Sequence, residues 1–397
     1  MQTSQSRGRG LPALAAALPL MIIGINVLSI ILTAARDMAL SAAQTTTWIL
    51  ALYGLSGVVA LAITMLYRQP LLFTGNLFVL VFVASLGGEL SYPMLIGATV
   101  VAGVVVTALG ALGLTGWLAY WIPAPVVLGL LAGALMPFVS DIFTSLGQAP
   151  VLVGGTFLTY VLGRLTLRGR LPALLPALVT GVALTALTGQ FGPLSAPLAL
   201  PVPVITPPQF SPGAILTAAP VIVVLMTLQA NLPSMVYMQN EGFDPPDRVV
   251  NTVSGIGTLL ASLLGPTALS ISLPATALLA GPKAGELPER YRSAIIASGF
   301  GVLIGLLAAI AAALNGAIPA PLLLALAGLA VFDVLASALV QIVRGPLLLG
   351  PLFALASALS EISFLGFGPF FWALVIGTGV SLLLERDGIR ELRGRLD

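Results

Sequence analysis

The 397-residue sequence contains no cysteine and no histidine. The first absence removes disulfides, thiolate nucleophiles and sulfur-ligated metals. The second takes away the usual ligands of zinc and haem and the imidazole of most proton relays. No metal or cofactor is therefore expected, and without a paired acidic motif the sequence offers no obvious enzyme chemistry. Charge is scarce too: Asp, Glu, Lys and Arg make up 8% of residues against 58% hydrophobic, and the mean hydropathy is +1.08. That balance excludes a soluble domain and points to an integral membrane protein.

What is present is a succession of apolar runs, each near the roughly 20 residues that cross a bilayer as a helix. They divide into fourteen segments at roughly 12–34, 45–66, 70–88, 92–116, 123–145, 149–167, 171–189, 212–236, 247–265, 267–282, 292–314, 318–342, 346–361 and 366–384. The two-residue alternation of a membrane barrel is absent, so the expected fold class is all-α. The first run, Leu11 to Ala35, is too long for a signal-peptide core and lacks a clear cleavage site, so it is expected to be retained. With the N-terminus cytoplasmic, 15 of the 16 Lys and Arg residues fall on the inner side and Arg36 alone falls outside. The pI of 9.1 thus reflects topology rather than nucleic-acid binding. A multi-pass inner-membrane protein with both termini cytoplasmic is predicted.

A loop near residues 190–211, without Lys or Arg, splits the chain into residues 1–200 and 201–397. Ile-Pro-Ala-Pro occurs at 122–125 and again at 318–321, 196 residues later (318 minus 122). Pro12, Pro70, Pro123, Pro125 and Pro150 meet Pro208, Pro266, Pro319, Pro321 and Pro346 at the same offset. Composition alone would give roughly one such coincidence, so an internal duplication is expected. Seven segments per copy is an odd number, which makes the second copy enter the membrane from the opposite side. Such 7+7 inverted repeats are an architecture of secondary transporters, whose sites lie between the copies at the midplane.

Segments 3 and 10 occupy equivalent places in the two halves and both look broken. In QPLLFTGNLFVLVFVASLGG (69–88) and GPTALSISLPATALLAGPKAG (265–285), a proline opens a short extended stretch. A break residue then starts a helix too short to span: Gly75-Asn76 in the first, Pro274 in the second. Non-helical backbone at membrane depth is tolerated only where protein buries it or a cavity takes it in, so these segments predict the site.

The run LQANLPSMVYMQNEGFDPPDRVVNTVSGIGTLLASLLGPTALSISLPATALLAGPKAG, with YRQPLLF and IPAPVVLGLLAGALMPF, resembles the benzoate:proton symporters of the BenE family. That family is related in fold to the uracil permease group. The resemblance implies a core domain (11–116 plus 211–314) and a gate domain (123–190 plus 318–385). It implies short antiparallel strands in segments 3 and 10, substrate held between their half-helices and segment 8, elevator-like movement, and a homodimer. Nucleobase carriers of that fold place carboxylates where this chain has Gln229 and Ser272, which argues against a nucleobase or a metal cation.

The residues give the same direction independently. Two half-helix N-termini converging without a carboxylate favour an anion. Asn26, Thr74, Gly75, Asn76, Gln229, Asn231, Ser270, Ser272 and Thr276 are candidates for its polar shell, and Phe73 and Phe78 for an aromatic body. Each also has a purely structural use in helix packing. Asp141 in segment 5 and Asp333 in segment 12 are the candidates for carrying a cotransported proton, with proton uptake by the anion itself and facilitative transport as alternatives. The expected function is secondary transport of a small organic carboxylate such as benzoate. Nucleobase or inorganic-anion transport and an anion channel are the competing readings.

Overall fold

The computed structural model describes residues 11–167, 171–193, 200–360 and 362–394. The side chain of Asn26 lies outside the described residues, as do the cations Arg7, Arg9, Arg168, Arg170 and Arg395. The first half contains α1 (Leu11–Asp37), α2 (Ala42–Ile49), α3 (Ser56–Tyr67), β1 (Phe73–Gly75), α4 (Leu77–Ser85), α5 (Tyr92–Leu112), α6 (Thr115–Trp121), α7 (Ala124–Gln148), α8 (Pro150–Leu167) and α9 (Leu174–Leu187). The second contains α10 (Pro212–Met226), α11 (Leu232–Asn240), α12 (Asp247–Ser262), β2 (Leu269–Ile271), α13 (Leu273–Ala280), α14 (Tyr291–Leu306), α15 (Ala308–Ala317), α16 (Ala320–Arg344), α17 (Leu349–Leu359), α18 (Pro369–Leu384) and α19 (Arg386–Arg393).

Among the described residues, seven helices are long and apolar enough to cross a membrane, or up to nine if each of two bent pairs is one span. Two of the seven are composite: α2 continues through a π-helical stretch at Leu50–Leu55 into α3, and α10 through Thr227–Asn231 into α11. Large apolar side chains such as Leu66, Leu165, Val343 and Leu383 stand exposed on their outer faces, as lipid contact requires.

Both Ile-Pro-Ala-Pro stretches open helices. Pro123 and Pro319 hold the extended N-cap positions of α7 and α16, while Pro125 and Pro321 sit in the first turn, where a missing N–H costs no hydrogen bond. Equivalent elements recur at the proline offset. The bounds of β2 follow those of β1 by 196 residues (269 minus 73, 271 minus 75), and those of α16 follow α7 likewise (320 minus 124, 344 minus 148). α7 and α16 pack together, and α17 packs on α7. Glycine makes these approaches close: a Cβ on Gly129 would strike the Pro351 carbonyl, and one on Gly328 the Phe138 carbonyl.

β1 and β2 pair antiparallel, with Phe73 opposite Ile271, Thr74 opposite Ser270 and Gly75 opposite Leu269. So short a ladder leaves other backbone groups to be satisfied, and neighbouring side chains do this. Thr258 on α12 accepts from the Leu269 N–H at 2.9 Å. Asn231 accepts from the Ile271 N–H at 3.1 Å, while its amide donates to Asn251 and Ser254 at 3.0 Å each. At the far end of α13, the buried Arg290 donates to the Ala280 and Gly285 carbonyls and pairs with Glu241 at 3.0 Å, setting a cation at the helix's negative end.

Near the C-terminus, α18 turns by 100° into α19, and Glu385 at the bend closes the start of α17. Its carboxylate accepts from the N–H groups of Leu348, Leu349 and Gly350 at 2.6–2.9 Å and from the Ser381 hydroxyl at 3.0 Å. Burial pushes this carboxyl upward, but the three backbone donors and Ser381 outweigh it and hold it below the usual carboxylate range. The bonds therefore stabilise the fold fully above the unfolded-state value and are lost as pH falls through the lower folded one.

Two predictions follow from these bonds. Asn231→Ala should lower stability by about 1–3 kcal/mol, because it leaves the buried Ile271 N–H without an acceptor; a denaturation midpoint in detergent measures it. Glu385→Gln should cost about 1 kcal/mol at pH 7, with the gap from wild type narrowing as pH drops below the carboxylate range, read from thermal melts across pH.

Candidate functional site

The strand pair fixes where α4 and α13 begin. Asn76 follows β1 and caps α4: its side-chain oxygen accepts from the Val79 N–H at 3.0 Å, and its amide donates to the Ser270 hydroxyl at 2.9 Å. Its own N–H donates to the Ala268 carbonyl at 2.8 Å. One residue thus starts a helix and ties the two halves together. In the other half, Ser272 holds the N-cap position of α13 but makes no side-chain capping bond, and Pro274 stands in the first turn. The first turns of both helices, through Leu77 and Phe78 on one side and Leu273 and Pro274 on the other, line a single cavity of about 1030 Å³.

Helix N-termini carry a partial positive charge and unpaired N–H donors, so the two turns make this end of the cavity favourable to an anion. The π-helical stretch between α10 and α11 adds Gln229 to the wall. Its position has a local cause: Pro233 has no N–H to offer the Gln229 carbonyl four residues earlier, so the α-helical pattern is interrupted there. Apolar side chains complete the wall, with Leu18, Ile22 and Ile23 from α1, Leu128 and Leu131 from α7, and Leu329 from α16.

Of the residues singled out from sequence, Asn76, Phe78, Gln229, Ser270 and Ser272 stand on this wall. Phe73, Asn231 and Thr276 are buried at 1% exposure or less and do not line it. Phe73 belongs instead to a buried apolar cluster with Leu71, Ile271, Met235 and Leu279. Thr74 and Gly75 belong to the ladder and are also off the wall; a Cβ on Gly75 would collide with Leu52. Asn26 lies on α1, and its side chain is outside the described residues. Asp141 is half-buried on α7 and off the wall, whereas Asp333 is on it.

Of the wall residues that the sequence reading did not single out, Arg164 and Tyr160 matter most. Arg164, assigned from sequence only to the inner side of the membrane, lines the cavity, donates from Nη1 to Asp333 Oδ2 at 2.8 Å, and has Oδ1 of the same carboxylate 2.7 Å from that nitrogen. Tyr160, one helical turn earlier on α8, lines it as well. Their four-residue spacing places them on one helix face and was readable in advance, but which way that face points was not.

The chain can now be set beside known proteins. The family described as benzoate membrane transport protein, BenE, matches residues 9–383. The benzoate membrane transport protein of Acinetobacter baylyi is 27% identical over 353 residues, covering 88% of this chain and 89% of that protein. Inner membrane protein YdcO of Escherichia coli is 26% identical over 355 residues, with the same coverage of 88% and 89%. Among solved structures, the transmembrane domain of a cyanobacterium bicarbonate transporter, BicA, matches with a TM-score of 0.58 at 18% identity, covering 94% of this chain and 97% of that one. The murine anion transporter Slc26a9 in its inward-facing state matches with a TM-score of 0.64 at 14% identity, covering 94% and 68%. At those identities the structural likeness establishes the fold. The family match spans nearly the whole sequence, so the chain belongs to the BenE family of benzoate membrane transport proteins and is a multi-pass membrane transporter, not an enzyme.

Proposed function

We propose that this transporter moves a small aromatic or other organic carboxylate, with benzoate as the type substrate, together with a proton across a bacterial-type inner membrane. The observation that carries the reading is the shared cavity. Two helix N-terminal turns line it with the neutral polar groups of Asn76, Gln229, Ser270 and Ser272, and no acidic side chain from α1, α4 or α10 to α13 stands on its wall. Phe78 and the aliphatic side chains of α1 suit an aromatic ring. A relative over most of the chain is named as a benzoate transport protein.

In this reading the chain is a fourteen-segment 7+7 inverted repeat whose two broken segments meet at the midplane. The 196-residue recurrence of β1 and α7 supports it, as does the antiparallel pairing of β1 with its equivalent β2. The proposed core (11–116 plus 211–314) and gate (123–190 plus 318–385) both contribute to the wall, as elevator-like motion of one against the other requires. A homodimer is carried over from the fold. With both termini cytoplasmic, the part of the cavity wall that carries Arg164, Leu171 and Gln341 would lie toward the cytoplasm.

Bringing one negative charge into an interior-negative cell costs about 2.3 kcal/mol per 100 mV, which a cotransported proton cancels. Asp333 is the coupling acid we favour over Asp141, because it reaches the cavity. The second reading, an inorganic-anion carrier, is supported by the likeness to bicarbonate and anion transporters. The apolar wall weighs against it.

Proteoliposomes loaded by labelled benzoate decide between these. Saturable uptake accelerated by an inward proton gradient is expected; uptake that ignores the gradient removes the coupling, and absence of saturable uptake removes benzoate. Gln229→Ala should raise the KM for benzoate about tenfold through loss of a hydrogen bond to a charged ligand, with the melting temperature little changed. Asp333→Asn should abolish the response to the proton gradient while leaving gradient-free exchange; retention of the response would transfer the role to Asp141 or to the carboxylate itself.

A further inference from the structure

Among the described residues, Arg164 and Asp333 are the charged side chains that line the cavity, and they come from α8 and α16, elements other than those whose N-termini line it. Both side chains are 56% exposed, and an ion pair that open to water contributes little to stability. Fold maintenance therefore does not account for it. Its geometry also leaves capacity unused: among the described residues, the Arg164 hydrogen bonds leave only from Nη1, so Nε and Nη2 remain for a second acceptor. A guanidinium presents such donors as a planar fork suited to a carboxylate.

Beside this pair lies an incompletely satisfied group. Tyr160 is 6% exposed, and its hydroxyl, covered from solvent, faces the Asp333 carboxylate in a contact too loose to meet hydrogen-bond geometry. A buried hydroxyl held only by so loose a contact is incompletely satisfied, and a carboxylate oxygen brought slightly closer would satisfy it.

We propose that Arg164 and Tyr160 form a second carboxylate-binding station on the gate side of the cavity, separate from the Asn76–Gln229 end, and that Asp333 is its built-in competitor. In the empty cavity Asp333 occupies the guanidinium. A small organic carboxylate displaces it, taking the Arg164 fork and the Tyr160 hydroxyl before passing to, or after leaving, the helix N-termini. The class of ligand rests on the carboxylate reading given above; the station itself rests on the side chains.

The two partners of a structural ion pair weaken a protein in the same direction when removed, whereas a binding group and its competitor act in opposite directions. Benzoate affinity of the full-length protein in lipid nanodiscs, measured by calorimetry, separates the cases. Arg164→Gln is expected to weaken benzoate binding about tenfold and Tyr160→Phe to weaken it less, while Asp333→Asn strengthens it several-fold. Benzamide, the uncharged isostere, used as the competing ligand, should show no such dependence on Arg164. Loss of affinity in both Arg164→Gln and Asp333→Asn, or unchanged affinity in Arg164→Gln, overturns the station while leaving the helix-terminus site intact. If wild-type protein binds no benzoate, the carboxylate reading fails; bicarbonate titrations of the same variants then test the station alone, opposite signs supporting it and equal signs overturning it.

Discussion

In a hydrocarbon layer, every backbone N–H and C=O must find a partner within the protein, and the short β1–β2 ladder exists under that constraint. Three paired residues per strand cannot satisfy the chain where it leaves helical geometry. The Asn76 N–H donates to the Ala268 carbonyl, and the side chains of Thr258 and Asn231 accept from the Leu269 and Ile271 N–H groups, which supplies further bonds. With those bonds in place, α4 and α13 can start in the interior of the protein rather than at its surface, and their first turns come to line one cavity. The electropositive character of the site is a by-product of how the interruption is made tolerable.

Charge placement elsewhere is consistent with that arrangement. Arg290 neutralises the negative end of α13 away from the cavity, and Glu385 covers the exposed N–H groups of α17. The N-terminal turns of α4 and α13 have no comparable carboxylate: Asn76 caps one with a neutral amide, and Ser272 leaves the other without a side-chain cap. The ends served by Arg290 and Glu385 are closed by charge, while the two on the cavity wall have only a neutral cap or none. The chain belongs to the BenE family, and in the proposed reading the N–H donors of these two turns would meet the substrate anion, while the Arg164–Asp333 pair on the same cavity wall adds a cation.

Much of the organisation was legible in the sequence because it follows from local rules. Bilayer thickness sets the length of apolar runs, proline marks where helices open, and two copies of one pattern repeat their punctuation. The Ile-Pro-Ala-Pro stretches begin helices of equal length, and Leu269-Ser270-Ile271 is a strand where a proline-opened extended stretch was read. The candidate site was legible only in part. Asn76, Phe78, Gln229, Ser270 and Ser272 line the cavity, whereas Phe73, Thr74, Gly75, Asn231 and Thr276 come from the same short stretches and do not. Adjacent positions on a strand or a tight helical turn point in different directions, and residue type cannot say which one faces in.

The sequence by itself determined that this is a mostly helical membrane protein, that its proline punctuation recurs at a 196-residue offset, and that the short stretches at 69–88 and 265–285 carry no acid in their middles. Composition and spacing along one chain are sufficient for those conclusions. Only the tertiary structure decided that Asn231 serves the strand and not the cavity, that Pro233 is accompanied by a π-helical stretch presenting Gln229, and that Arg164 meets Asp333 across 169 positions of sequence. Each of these depends on the rotation of one helix against another, which is set by packing among elements distant in the chain and leaves no periodic trace in either.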